Sequence, residues 1–222
     1  METTRKMTEA ECNIVIYPEY GNEIAVTLEN IYGIPYMQLT KGLPIGFDAT
    51  FDFIVQIGDK LNANPEKAIR KIKKAKAKAY LHLARFSSLT GLPKGAFFGI
   101  KAEASVCYAL TKWLTAYLGM IPASIVTLPD GDETSMRILI NFLTQIDCLS
   151  TLGHDITETP MHLLFADGNT IALARLKGRK VCGIEISLPT LSYTDVTDKH
   201  ILGEEGALFL LEQIINGLRY LM

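Results

Sequence analysis

The chain has 222 residues, of which 48% are hydrophobic and 21% are charged, with a formal net charge of −2. This length and apolar share allow a sizeable buried core and exclude an intrinsically disordered chain, and the nearly neutral balance excludes a polyanion-binding tail as the main function. The cysteines are widely spaced and form no C-x-x-C pair, which excludes a disulfide framework or zinc knuckle and is typical of a reducing compartment; they are Cys12, Cys107, Cys148 and Cys182.

The N-terminal part alternates short apolar runs with helical patterns. A strand is predicted over CNIVIY (Cys12–Tyr17), then a helix that ends at Gly33, then a second strand over IPYMQL (Ile34–Leu39). The next segment, GLPIGFDATFDFIVQIG, predicts a loop that enters another helix, with Asp48 or Thr50 as the N-cap.

A strongly basic segment follows. Between Glu66 and Arg85 there are eight Lys or Arg residues and one acidic residue, or +7, whereas the remainder has 14 basic and 23 acidic residues, or −9. An amphipathic helix is predicted because apolar residues recur there at helical spacing, at Ile69, Ile72, Ala75, Ala79, Leu83 and Phe86. Such a run of charges usually forms the solvent-exposed face of a helix, and docking to an acidic partner is the alternative. Nucleic-acid binding is not expected, because no recognition motif accompanies the lysines.

The C-terminal half repeats the strand–helix order. Strands are predicted over Ala96–Ile100, Ala123–Leu128, His162–Ala166 and Lys180–Ser187, with a further short strand near Cys148. Helices are predicted over about Glu103–Leu118, about Glu133–Leu143, the segment DGNTIALARLKG capped by Gly178, and the C-terminal segment GEEGALFLLEQIINGLRYL. Repeated strand–helix–strand units predict an α/β fold, with parallel sheets covered by helices on both faces.

No targeting or membrane-spanning segment is expected. The first residues, METTRKMTEAECN, lack the apolar run of a secretory signal. The longest uncharged stretch, Trp113–Pro129, is shorter than the roughly 20 residues that span a bilayer, and it contains Gly119 and Pro122. We therefore expect a cytoplasmic protein.

Ligands of open parallel sheets bind at the carboxyl ends of the strands, where helix N-termini offer backbone N–H donors. The turns at these ends are predicted at residues 19–21, 99–105, 129–132, 166–169 and 187–193. None has a G-x-G-x-x-G or Walker sequence, so these turns do not predict a nucleotide site, and each also fits an ordinary cap or turn.

The sequence gives little support for a metal site or for a catalytic nucleophile. One acidic and histidine-rich cluster has suitable residue types for zinc or iron, namely His154, Asp155, Glu158 and His162. Its histidines are eight residues apart with Pro160 between them, so the spacing does not enforce convergence, and we predict no metal site. No G-x-S-x-G sequence occurs, and catalytic residues stay unassigned. His82 and His200 are expected to face solvent, and Cys107 and Cys182 to be core residues.

Five passages in order resemble the nitrogenase component 1 type oxidoreductases. Two passages of this chain resemble the second half of that family's middle domain, namely CNIVIYPEYGNEIAVTLENIYGIPYMQL and GLPIGFDATFDFIVQIG. Three further passages resemble the last domain of the family, namely KGAFFGIKAEASVCYALTKWLTAYLGMIPASIVT, HLLFADGNTIALARLKGRKVCGIEISLPTLSY and LGEEGALFLLEQIINGL. The loop PIGFDAT is closer to the tetrapyrrole-reducing and beta-type members than to the molybdenum–iron alpha subunit. The resemblance implies a remnant of a Rossmann-like middle domain over 1–62, a connecting helix over 63–95 and a C-terminal Rossmann-like domain over 96–222.

The resemblance also implies partners and a missing domain. Family members pair as homo- or heterodimers with a component 1-like subunit and receive electrons from an ATP-dependent iron protein. Their first domain, whose cysteines hold an iron–sulfur cluster, has no counterpart here. The family's cofactor histidine corresponds to the stretch EISLP, with Ser187 near that position, and no cysteine occurs in FGIKAEAS, where its cysteine ligand lies. We therefore expect this chain to hold no cofactor by itself.

Two functions follow from the resemblance. The first is the C-terminal part of a component 1-like oxidoreductase, which forms part of a tetrapyrrole or cofactor cleft and is inactive alone. The alternative is a non-catalytic scaffold or partner-binding module for cofactor assembly. A third class, a sugar- or nucleotide-binding Rossmann domain, would be stabilised by nucleotides. The candidate cofactor-binding residues lie in the strand-end turns, where N–H groups favour carboxylates; they are Glu19, Gly21, Gly99, Glu103, Asp167, Asn169, Ser187 and Tyr193.

Overall fold

The computed structural model describes residues 9–39, 41–129, 131–191 and 199–222. A small parallel sheet comes first in the chain, made of strands β1 (Asn13–Val15) and β2 (Tyr36–Gln38) with helix α1 (Pro18–Tyr32) between them. Helix α1 ends as predicted at Gly33, whose φ of 69° is the left-handed conformation that favours glycine at a helix C-terminus. Both strands are shorter than predicted, since only three residues of each are paired.

Two helices lead from the small sheet to the rest of the chain, α2 (Phe47–Lys60) and α3 (Glu66–Thr90). The prediction of Asp48 or Thr50 as the N-cap of α2 is wrong, because the N-cap is Gly46. Gly46 has a φ of 84°, and a Cβ atom there would overlap the Trp113 ring, so only glycine fits this entry into the helix. The Thr50 hydroxyl instead donates back to the carbonyl of Gly46 at 2.5 Å.

The amphipathic helix predicted from the basic segment is confirmed as α3. Its apolar positions face the main core, with Ile72, Ala75, Ala79 and Phe86 fully buried and Ile69 and Leu83 half-buried. Its lysines and arginines lie mostly on the exposed side. Burial of this apolar stripe, rather than the helical preference of the lysines alone, holds the helix in place.

The second sheet has four parallel strands in the order β4-β3-β5-β6. The strands are β3 (Phe97–Ala102), β4 (Ile121–Thr127), β5 (Leu163–Asp167) and β6 (Cys182–Ser187). The helices of this part are α4 (Ala104–Leu118), α5 (Glu133–Gln145), α6 (Gly168–Leu176) and α7 (Gly203–Leu221).

Alternate residues of the central strand β5 pack into two different clusters. Leu163 and Phe165 belong to the main core, to which α3, α4 and α7 contribute, whereas Leu164 and Ala166 pack with Ile171 and other residues near α6. Because successive strand residues point to opposite faces, helices cover this sheet on both sides. The predicted α/β architecture is therefore confirmed.

The segment around Cys148 is helical rather than extended. The short strand predicted there is wrong: a 3₁₀ helix occupies Leu149–Thr151. The chain turns at this point because Asp147 has a φ of 56° and the Cys148 N–H donates back to the carbonyl of Leu143. Within the described ranges, no helix is long and apolar enough to cross a membrane.

Candidate functional site

A cavity of about 420 Å³ lies at the carboxyl end of β6. One wall is the end of β6 and the loop that follows, and another is the beginning of α7 with the residues before it. Tyr17, which follows β1 in the chain, reaches the same cavity from the small sheet. The site is thus assembled from parts of the chain that are far apart in sequence.

The cavity combines apolar walls with basic side chains. Ile186, Leu202 and Phe209 supply apolar surface, while Lys199 and His200 stand on the same lining. The ammonium of Lys199 lies 5.8 Å from the centre of the Phe209 ring, a cation–π distance. The Nε2 atom of His200 is 4.0 Å from a carboxylate oxygen of Glu205, a contact that becomes an ion pair when the imidazole is protonated.

Ser187 lines this cavity, and Tyr193 lies outside the described residues. Lys199 was not predicted as a site residue, and His200 was expected only to face solvent. The exposed side chain of His200 does reach solvent, but it also borders the cavity. The one signal in the sequence for Lys199 and His200 as site residues was their position shortly before the helix that starts at Gly203.

A second group of candidate residues lies where α1 meets the beginning of α4. The carboxylate of Glu19 accepts hydrogen bonds from the backbone N–H and from the hydroxyl of Ser105, each at 2.8 Å. The hydroxyl of Tyr20 donates to the carboxylate of Glu103. The structure therefore brings Glu19 and Glu103 to one place. The N–H that the prediction offered to a ligand, however, already binds a carboxylate of the chain itself.

Two tyrosines at this contact stay protonated to high pH. The hydrogen bond to Glu103, followed by burial and the nearby acidic charges, raises the pKa of Tyr20 to about 12. Burial first, and then the charges of Glu103 and Glu19, raise the pKa of Tyr17. Both hydroxyls are therefore hydrogen-bond donors near neutral pH, and the Tyr17 side chain borders the cavity.

The third group surrounds the start of α6, where Asp167 is the N-cap. Its carboxylate accepts from the N–H of Thr170 at 2.9 Å and from the Thr170 hydroxyl at 2.6 Å, and the Lys101 ammonium lies 3.3 Å away. Burial alone would raise the pKa of Asp167, but these hydrogen bonds and the Lys101 charge outweigh it and lower the pKa below its ordinary value. Asn169, one residue into the helix, is exposed.

The glycines predicted for the site lie within a helix and a strand and not in turns, at closely packed positions. The assignment of Gly99 to a turn is wrong, because β3 continues to Ala102 and Gly99 is buried inside the strand, where a Cβ atom would meet Met161 at 2.6 Å. Gly21 lies within α1 and its Cβ would lie 3.0 Å from Val15. Gly168, which belongs to the predicted turn at residues 166–169 but not to the predicted site residues, lets the loop after β6 come close to α6, and its N–H donates to the carbonyl of Pro189 at 2.7 Å.

The residues of the acidic and histidine-rich cluster do not converge, and three of them make separate contacts with other parts of the chain. The Nδ1 atom of His162 accepts from the N–H of Phe97 at 2.9 Å, and Asp155 accepts from both polar groups of Thr157. Glu158 pairs with Lys177 at 2.9 Å. Among the residues that the structure describes, no group of three His, Cys, Asp or Glu side chains has the geometry to hold a metal ion.

Comparison with known proteins gives a family and a fold. The family model for nitrogenase component 1 type oxidoreductases matches residues 1–219. The chain is 31% identical over 86 residues to a subunit of the light-independent protochlorophyllide reductase of Synechococcus sp. (strain CC9311), which is 39% of this chain and 16% of that protein. It is 32% identical over 72 residues to the corresponding subunit of Jannaschia sp. (strain CCS1), which is 32% of this chain and 13% of that protein.

A solved structure described as "Nitrogenase Cp1 at pH 6.5" superposes with a TM-score of 0.74 and 18% identity. That superposition covers 96% of this chain but only 46% of the other chain. At this identity the likeness concerns the fold alone, and it extends over almost all of the present chain. The chain therefore spans less than half of the solved structure that it matches, and its alignments cover a smaller share of the curated relatives.

Proposed function

The chain belongs to the nitrogenase component 1 type oxidoreductases, and from this premise we propose that it forms one wall of a cleft for a tetrapyrrole. The relatives described above are subunits of a protochlorophyllide reductase, which favours a tetrapyrrole over other substrates of the family. In this proposal these residues bind and orient the ligand, and a redox centre outside them supplies the electrons.

The observation that carries the proposal is the composition of the cavity at the end of β6. A tetrapyrrole is a flat apolar ring with carboxylate side chains. Ile186, Leu202 and Phe209 offer the apolar surface that such a ring needs, Lys199 offers a cation for a carboxylate, and His200 adds a polar imidazole. Tyr17, whose hydroxyl stays protonated, borders the cavity from the side of the small sheet.

The described residues do not fit an iron–sulfur cluster, so no step of the reaction is assigned to one on this chain. Such clusters need several convergent thiolates. Cys107 is fully buried in the main core, and among the described residues no group of three His, Cys, Asp or Glu side chains converges as such a cluster requires. We propose that the redox centre lies outside these 222 residues and that an ATP-dependent iron protein reduces it.

Titration with protochlorophyllide, followed by its absorption and fluorescence, tests the proposal. Replacing Lys199 and His200 together by alanine is expected to weaken binding about tenfold, because a carboxylate loses the Lys199 cation and the His200 imidazole. The matched control is Lys60→Ala with Lys180→Ala, which removes two exposed cations elsewhere and should leave binding unchanged. Absence of binding, or binding insensitive to the first pair, would contradict the proposal.

The alternative role, a scaffold for cofactor assembly, is distinguished by a second experiment that measures reduction. A scaffold would bind its ligand in the cavity but would support no reduction of protochlorophyllide when combined with a reductase and the polypeptide that carries the redox centre. Stabilisation by nucleotides in a thermal-shift measurement would instead indicate a nucleotide-binding module.

A further inference from the structure

Helices α3 and α7 pack against each other and leave a cavity of about 320 Å³ between them, the interhelical cavity. It shares no lining residue with the cavity at the end of β6. Its floor is apolar, with Ala79 and Leu211 buried and Leu208 and Ile215 half-buried. Because the side chain of Ala79 is small, it leaves space between the helices that a larger residue would fill. The size and the apolar floor are those of a small-molecule site.

Both helices contribute polar side chains to the rim of the interhelical cavity. Lys78 and His82 come from α3, and Glu212 and Asn216 come from α7. The two residues of each pair are four positions apart, so they lie on the same face of their helix. His82, which is predicted from the sequence to face solvent, is exposed and also borders this cavity. A positive charge therefore stands on one wall and a negative charge on the other.

The chain itself neutralises neither of these charges. Among the described residues, the side chains of Lys78 and Glu212 form no ion pair or hydrogen bond, either with each other or with a third residue. A molecule placed between them can pair with both charges at once, and it also covers the apolar floor that otherwise contacts water. The interhelical cavity thus combines a partner for an anion, a partner for a cation and an apolar surface.

We propose that the interhelical cavity binds a zwitterion with an apolar side chain, that is, an α-amino acid such as phenylalanine or leucine. Lys78 pairs with the carboxylate, Glu212 pairs with the ammonium group, and the apolar floor holds the side chain. The His82 imidazole and the Asn216 amide add hydrogen-bonding groups at the two walls. The cavity has room for about ten water molecules, which is the size of such a ligand. An anion or a cation alone would use one of the two charges, whereas a zwitterion uses both.

Amide shifts in ¹H–¹⁵N NMR spectra of the full chain test this site, with L-phenylalanine as the probe. We expect saturable shifts at residues 78–82 and 208–216, with a dissociation constant on the order of 1 mM, as is usual for so small a ligand. Three further probes each lack one feature: 3-phenylpropanoate lacks the ammonium group, phenethylamine lacks the carboxylate, and glycine lacks the apolar side chain. Each of them should bind at least about threefold more weakly than phenylalanine.

Two variants connect each charged group of the ligand with its residue. Glu212→Gln should weaken phenylalanine binding about threefold but should not weaken 3-phenylpropanoate binding, because that probe has no ammonium group. Lys78→Gln should likewise weaken the binding of phenylalanine but not that of phenethylamine, which has no carboxylate. The matched control, Lys73→Gln with Glu29→Gln, removes one exposed charge of each sign outside the cavity and should bind phenylalanine like the unmodified chain.

Circular dichroism of each variant verifies that its helices are intact. The proposal is overturned if phenylalanine causes no saturable shift up to about 10 mM, or if the shifts lie outside the interhelical cavity. It is equally overturned if the two variants weaken all the probes to the same extent, since a general disturbance of the helices would do so.

Discussion

Glu19 and Asp167 both place a carboxylate at the N-terminus of a helix, but they reach it by different routes. Asp167 caps its own helix through Thr170, three residues later. Glu19 comes from α1 and binds Ser105 at the start of α4, a helix whose own N-cap residue, Glu103, makes no side-chain cap. Each carboxylate satisfies backbone N–H groups that would otherwise lack a partner within the helix.

Replacing Asp167 by alanine removes both a helix cap and the partner of Lys101. We expect the free energy of unfolding at neutral pH to fall by about 1 kcal/mol, the usual value of an N-cap. Denaturant unfolding measures this loss. As a control, Asp59→Ala replaces an exposed aspartate and should change the stability little.

The same variant has a predictable dependence on pH. The pKa of Asp167 is lowered in the folded state, so its stabilising contribution is present above the ordinary pKa of 3.8 and is lost as the pH falls through the lower, folded-state value. The difference in stability between the unmodified chain and Asp167→Ala should therefore shrink as the solution is acidified below about pH 4. A difference that stays constant down to the lowest pH would contradict this assignment of the charge.

At the scale of elements, polar contacts join the unit of β1, α1 and β2 to the two helices that follow β3 and β4. Glu19 binds Ser105, Tyr20 donates to Glu103, and the amide of Asn22 donates to Asp132 at 3.1 Å. Asp132 in turn caps α5 by accepting from the N–H of Ser135. The first two turns of α1 are thus bound to the N-termini of two helices.

A double-mutant cycle on Glu19 and Ser105 measures one of these contacts. Glu19→Ala should lower the free energy of unfolding by about 1–2 kcal/mol, because Ser105 loses the acceptor of its N–H and its hydroxyl. Ser105→Ala removes the hydroxyl bond alone, so the double variant should be less destabilised than the sum of the single ones. Strict additivity would show that the two residues do not interact in solution.

The loop after β6 is held against the start of α6 by a close backbone approach. A Cβ atom on Gly168 would lie 2.6 Å from the backbone nitrogen of Leu191 and 2.7 Å from the carbonyl oxygen of Pro189. Backbone atoms cannot rotate away, so Gly168→Ala should cost about 1–3 kcal/mol in thermal or denaturant unfolding. Gly131→Ala is the matched control, since its nearest neighbour is the carbonyl oxygen of Leu128 at 3.9 Å. Equal stability of the two variants would contradict the packing described here.

At the scale of the whole molecule, the architecture was predictable from the sequence because its signals are local. The apolar period of α3 and the glycine after α1 depend on neighbouring residues, and both predictions are confirmed. Strand lengths were predicted less accurately, since pairing with distant strands decides where a strand ends. The turn predicted at Gly99 is wrong for that reason, because β3 extends past it to Ala102. The division at residues 62 and 95 stays a prediction.

The candidate site was only partly predictable, because its residues meet through tertiary contacts. The turns at the strand ends were identified, and Ser187 lies on the cavity. The pairing of Glu19 with Ser105 joins residues 86 positions apart, and Tyr17 reaches the cavity from the small sheet. No local sequence pattern indicates such long-range contacts. Lys199 and His200 were missed as cavity residues because only the fold shows that the segment before α7 borders the end of β6.

Hydrogen–deuterium exchange of this chain with and without protochlorophyllide tests the central proposal most directly, because it locates the ligand on the chain. We predict slower exchange in peptides covering residues 184–191 and 199–213, which form the cavity, and around Tyr17, with no change in the peptides of α3. Unchanged exchange at the cavity, or protection confined to another surface, would contradict the assignment of this cleft to a tetrapyrrole.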